Sequence, residues 1–130
     1  MKDATRTEFL DVDLDLLADY DLSALVQAFE PRATALHCEA FEGGYRANLE
    51  LSTQPADAET AIRYFVDLIR RLPPEARLLW NEASKRDFSI GVQAGSLPYS
   101  LEFALTPAVL ALAVEVGARI VFVVYAAEPA

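Results

Sequence analysis

The sequence predicts an α+β fold, a mainly antiparallel sheet with helices packed on one face, built as a ferredoxin-like βαββαβ unit with one further αβ appended. Three observations carry this. Short stretches alternate apolar and polar residues with period two, as half-buried strands do. Between them lie segments whose apolar residues recur at three and four, the stripe of a surface helix. Proline and glycine punctuate the joins. With 130 residues and 14.3 kDa the chain suits one domain, residues 1–130, around one core.

The elements follow in order. From Glu8 to Leu16, Leu10, Val12, Leu14 and Leu16 fall on one face and Asp11, Asp13 and Asp15 on the other, which is a half-buried strand. Its aspartates suit a solvated face and discourage edge-to-edge pairing. They imitate the start of a calcium loop, but Leu16 stands where such a loop needs glycine and Leu22 where it needs glutamate. Leu22, Leu25, Val26 and Phe29 make a short helix that begins near Asp21 and ends at Pro31. Ala33–Phe41 and Tyr45–Ser52 are strands joined through Gly43-Gly44, where both residues can take positive φ.

Pro55-Ala56-Asp57 opens the strongest helix, with a stripe of Ile62, Phe65, Val66, Ile69 and Leu72, and Pro73-Pro74 stops it. Glu75–Ala83 is a shorter helix packing Leu78, Leu79 and Trp80. Asp87–Ala94 is a strand with Phe88, Ile90 and Val92 inward, and Leu101–Leu105 is a further short strand. Thr106-Pro107 caps a third main helix, Ala108–Val116, which Gly117 terminates. That helix has almost no polar face, so it is either enclosed or lies at a subunit contact, with Val109, Leu112 and Val116 as its interface residues. Arg119–Ala126 is the last strand. Its run Ile120-Val121-Phe122-Val123-Val124 is apolar on both faces, which predicts a central position.

Composition narrows the function. Eleven basic residues against 20 acidic ones leave a net charge of −9 and a pI near 4.5, a repulsive field for nucleic acid and for anionic membranes. The charge is uneven. Met1–Glu30 holds two bases and eight acids, whereas Arg63–Arg86 holds six bases and three acids, so the molecule is dipolar. One cysteine, Cys38, allows no intrachain disulfide and suits a reducing compartment. One histidine, His37, and one cysteine do not furnish a zinc site of the usual kind, and neither a metal nor a cofactor is expected. There is no apolar signal-peptide region and no run long enough to span a bilayer, which points to the cytoplasm. No phosphate-binding loop, dinucleotide fingerprint, nucleophile elbow or paired-cysteine motif occurs.

The hairpin sharpens the chemistry. A Gly43-Gly44 turn pairs Glu42 with Tyr45, and therefore Cys38 with Leu49 and Ala40 with Ala47 on an apolar face. The other face then pairs His37 with Glu50, Glu39 with Asn48, and Phe41 with Arg46. His37, Glu39, Arg46, Asn48 and Glu50 are therefore the candidate ligand surface, with His37 either a cross-strand polar partner of Glu50 or a base that Glu50 orients. His37 and Cys38 are adjacent on a strand and point to opposite faces, so they form no dyad; Cys38 is expected in the core as an inert thiol.

Leu79-Trp80-Asn81-Glu82-Ala83, Arg86-Asp87-Phe88-Ser89-Ile90-Gly91-Val92-Gln93-Ala94-Gly95, Leu105-Thr106-Pro107 and Gly117-Ala118-Arg119-Ile120-Val121-Phe122-Val123-Val124-Tyr125 resemble a bacterial family of short proteins known only as a domain of unknown function. The resemblance covers Leu72–Ala126 and rests on aromatics, strand apolars and turn glycines. It implies no activity and no catalytic residue. Members of similar size and acidity include immunity-like proteins of toxin systems. The combined expectation is a non-enzymatic cytoplasmic protein acting through protein contacts, with a second copy of itself or an immunity-like target. The alternative is a small-ligand binder or enzyme using the hairpin face around His37.

Overall fold

The computed structural model describes residues 5–127. Its elements run β1 (Glu8–Ala18), α1 (Ser23–Phe29), β2 (Ala33–Phe41), β3 (Gly44–Leu51), α2 (Ala58–Arg70), α3 (Pro74–Glu82), β4 (Lys85–Gln93), α4 (Pro107–Val116) and β5 (Arg119–Tyr125). The sheet order is β2-β3-β1-β4-β5. The first four strands pair antiparallel throughout, in the order of a split βαββαβ unit, and β5 joins β4 in parallel through α4. The predicted fold class and the appended αβ both stand.

One face of the sheet carries Val12, Leu14, Leu16, Leu49, Phe88 and Ile90, all buried beneath the helices. Local chemistry sets the helix ends. Asp57 accepts from the Thr60 amide at 2.8 Å and starts α2. Pro74 occupies the first turn of α3, where its missing N–H is no loss. Gly117 closes α4 with φ at +75°, a conformation a β-carbon would strain. Trp80, fully buried, donates its indole N–H to the Val116 carbonyl at 2.9 Å. Arg86 holds the ends of two helices at once. Its Nη1 donates to the carbonyls of Trp80 and Asn81 at 3.0 and 2.8 Å, and its Nε to that of Gly117 at 3.0 Å.

Several expectations are corrected. The strongly apolar β5 is at the edge rather than central, and the central strand is β1, which carries the aspartates. The aspartates therefore guard no edge; they line the middle of the helix-free face. Composition misleads here because an apolar run reports how much water a strand avoids, not which neighbour excludes it. A bulge between Phe9 and Asp11 turns Phe9 toward the helices, where it stacks edge-on against Phe103, and leaves Leu10 exposed. Residues 94–106 are irregular, so Leu101–Leu105 is not a strand. Leu78 points to solvent from α3. Val109 and Val116 are buried in the core and Leu112 is partly buried against it, so the apolar residues that α4 leaves exposed are others.

Candidate functional site

Two surfaces stand out, and strand register builds the first. Residues directly opposite one another share a face. On the helix-free side one row runs His37, Asn48, Asp15, Asp87, Arg119 across all five strands. The row beside it runs Glu39, Arg46, Leu17, Lys85. On the other side of the first row lie Thr34, Glu50, Asp13, Ser89 and Val121.

The predicted ligand residues all lie on this face, in a different register. The turn is centred on Glu42-Gly43, with Gly43 at φ +105° and Gly44 opening β3 at +147°. A β-carbon on Gly44 would stand 2.6 Å from the Ala18 carbonyl oxygen, which only glycine tolerates. The pairing slides by two residues, and a shift of two keeps every side chain on its face. His37 therefore stands opposite Asn48 rather than Glu50, and Glu39 opposite Arg46, which it holds through bonds of 2.8 and 3.0 Å. Glu50 lies opposite Thr34 and Asp13, so it does not orient the imidazole. A second bulge, at Leu36, lifts that side chain beside His37. Cys38 is exposed and not in the core, 3.9 Å from the Ser23 hydroxyl, because β2 runs past the edge of the helix layer. It does stand opposite Ala47, on the other face from His37.

His37, Arg46 and Asn48 line a concavity of about 490 Å³ with Asp15, Leu17, Leu36 and Lys85; Glu39 and Glu50 lie outside it. Lys85 also lines a second concavity of about 310 Å³ at the rim where β4 and β5 begin, with Ser84, Arg86, Gly117 and Arg119. Beneath these cations sits Asp87, 2% exposed, gripped bidentately by Arg119 at 2.8 Å on each oxygen, with the Lys85 ammonium at 3.6 Å. The hydrogen bonds from Arg119 hold the Asp87 carboxyl below the usual carboxylate range, and the charges of Arg119 and Lys85 add to this. Asp13 is the opposite case. Burial among Asp11, Asp15 and Glu50 pushes its carboxyl up to about 6, against a hydrogen bond from Asn48. One of its oxygens is buried with no hydrogen-bond partner among the described residues. Also among the described residues, no three metal-binding side chains come together, and no helix is long and apolar enough to cross a membrane.

Leu17, Lys85, Asp87 and Arg119 were not singled out from the sequence, and Asp15 only as part of the calcium-loop imitation. Their meeting depends on β1 lying between β3 and β4, and one strand's alternation does not encode its neighbours. Asp87, the one acidic residue of β4 and next to the inward Phe88, was the signal available.

The second surface is the outer edge of β5 with one flank of α4. Phe122 is 55% exposed, Val124 63% and Val114 77%, and Leu110 and Tyr125 are exposed as well. On one flank of α4, Glu115 reaches Arg70 of α2 at 2.8 Å. At 100° per residue, Leu110 and Val114 fall on the opposite flank, toward the last strand of the sheet. That edge has no strand beyond it among the described residues. Compared with known protein families, curated proteins and solved structures, the chain finds no match.

Proposed function

We propose that the chain acts through protein contact rather than chemistry, and that a second copy of itself occupies the β5 edge and the adjoining flank of α4. The observation that carries this is the position of β5, the most apolar strand in the molecule, at an edge of the sheet; the other edge, β2, carries His37 and Glu39 among its apolar residues. A long apolar edge strand is an aggregation hazard unless something pairs with it.

Self-pairing fits the local geometry. Tyr125 spends its carbonyl on the Ala94 amide of the β4 side at 2.9 Å. By alternation, Ile120, Phe122 and Val124 point their N–H and C=O groups away from β4. An antiparallel pairing centred on Phe122 sets Ile120 against Val124 of the second copy and satisfies all those groups. Val121 then meets Val123, and Arg119, its guanidinium held on Asp87, stands opposite Tyr125. Each apolar cross-strand pair contributes roughly 0.2–1 kcal/mol. No like charges face each other along this seam, so the net −9 opposes encounter only at range, where about 0.15 M salt screens it beyond roughly 8 Å. A strand of seven residues is about 23 Å long, and strand plus helix is about 20 Å deep. That band is about 460 Å² in projection, a little over half the ~800 Å² per partner of a standard interface, which suits a weak, concentration-dependent dimer.

Sedimentation velocity from about 1 to 100 µM tests the proposal, since a dimer is populated by mass action. The expected result is a concentration-dependent dimer that Val114→Lys with Val124→Lys converts to monomer without loss of fold. A wild-type chain that remains monomeric throughout overturns self-association and leaves a foreign strand, as in an immunity-like complex, as the occupant.

A further inference from the structure

We infer that the rim concavity around Lys85 is a binding site for a phosphate group, and that the larger concavity beside it receives the polar body carrying that phosphate. The site shares Arg119 with the β5 seam but does not require that strand to be paired.

Donor accounting supports the phosphate half. Arg119 uses its Nε and one Nη2 hydrogen on Asp87 and keeps three N–H groups. Arg86 uses its Nε and Nη1 on helix-end carbonyls and keeps Nη2, with no hydrogen-bond partner for it among the described residues. Lys85 approaches only Asp87, at 3.6 Å, which leaves the ammonium's three donors unspent among the described residues. Three cations therefore line one concavity of about 310 Å³ whose lining includes no carboxylate. The single acid beneath them, Asp87, cancels one charge. Asp15, opposite Asp87 on β1, lines only the adjoining concavity, so the rim itself keeps an excess of positive charge, which suits a phosphate. The exposed carbonyl ends of α3 and α4 would oppose an anion, but Arg86 already covers those of Trp80, Asn81 and Gly117. In a chain of net charge −9 this concentration of unspent cationic donors has no structural debt left to settle except at Asp87.

Lys85 is the shared wall of the two concavities. Beyond it the floor is Leu17, with Asn48, Asp15 and His37 along one side and Leu36 above. Such a mixed lining suits a body bearing hydroxyl or amine groups: donors for Asp15, and an apolar edge for Leu17 and Leu36. The ligand class is therefore a phosphomonoester of a small polar molecule, such as a sugar phosphate.

Isothermal titration with inorganic phosphate and with glucose 6-phosphate, in chloride buffers of matched ionic strength, tests both halves. Inorganic phosphate is expected to bind weakly, and Lys85→Gln to weaken it at least tenfold while leaving the circular dichroism spectrum unchanged. Glucose 6-phosphate is expected to bind at least tenfold tighter than phosphate, with Asn48→Ala removing that advantage and leaving phosphate binding intact. Absence of phosphate binding, or binding indifferent to Lys85→Gln, overturns the site. A sugar phosphate that binds no tighter than phosphate overturns its extension across Leu17.

Discussion

Asp13 sits where a carboxylate is least welcome, half-buried at the centre of the helix-free face with Asp11, Asp15 and Glu50 around it. The replacement Asp13→Asn should therefore stabilise the protein at neutral pH. The carboxyl titrates near 6 in the fold against an ordinary 3.8, and each pH unit between the folded and unfolded values is worth about 1.4 kcal/mol. The ceiling is thus about 3 kcal/mol, and solvent screening of a half-exposed group reduces it to about 1.5. The sign follows from proton counting. Between pH 3.8 and 6 the folded state holds a proton that the unfolded state has released, so stability falls as pH rises through this window and levels off above it. About half of the loss is recovered on going from pH 7.5 to 5, above the range in which the lowered carboxyls Asp57, Glu59 and Asp87 titrate. Urea denaturation at the two pH values measures this. Wild type should gain about 0.7 kcal/mol at pH 5, whereas Asp13→Asn should keep only the smaller dependence of the same sign that burial of Asp11 gives and exceed wild type at pH 7.5 by about 1.5 kcal/mol, or roughly 5 °C in Tm. A variant that is less stable at pH 7.5, or that keeps the wild-type slope, refutes the reasoning.

Trp80→Phe deletes the donor to the Val116 carbonyl and leaves that oxygen buried and unpaired. A loss of about 2–3 kcal/mol in urea unfolding is expected, and a loss below about 0.5 would show that the bond contributes little. Cys38 should react with Ellman's reagent in native buffer as fast as in denaturant, because it is an exposed thiol on an edge strand; slow labelling that requires unfolding would contradict its placement.

Much of the fold was legible because periodicity is a local property. The β1 alternation, the α1 and α2 stripes, the Asp57 and Thr106 caps and the Gly117 stop each follow from a handful of neighbouring residues. The failures share one cause, which is that they concern relations between segments. The lateral order of strands is not written in any one of them, so the apolar run of β5 predicts a central position that the strand does not take. The hairpin slid because either of two adjacent glycine-containing pairs could form its turn, and the fit of Gly44 against the Ala18 carbonyl decided between them. The candidate residues survived that slide on the correct face, since a shift of two preserves the pleat, but His37 exchanged its predicted carboxylate for an amide. The bulges at Leu10 and Leu36 interrupt an otherwise regular alternation, and their sequences carry no glycine to mark them.

The attachment of α4 and β5 has a consequence for how the molecule comes apart. Trp80 and Arg86 belong to the βαββαβ unit, yet their bonds end on Val116 and Gly117 of the appended segment. Detaching that segment would strand a buried indole N–H and uncap a helix as well as baring β4, so the addition has no cheap way to fray off ahead of the rest. The chain should melt as one cooperative unit, with the amide protons of β4 exchanging only by global unfolding.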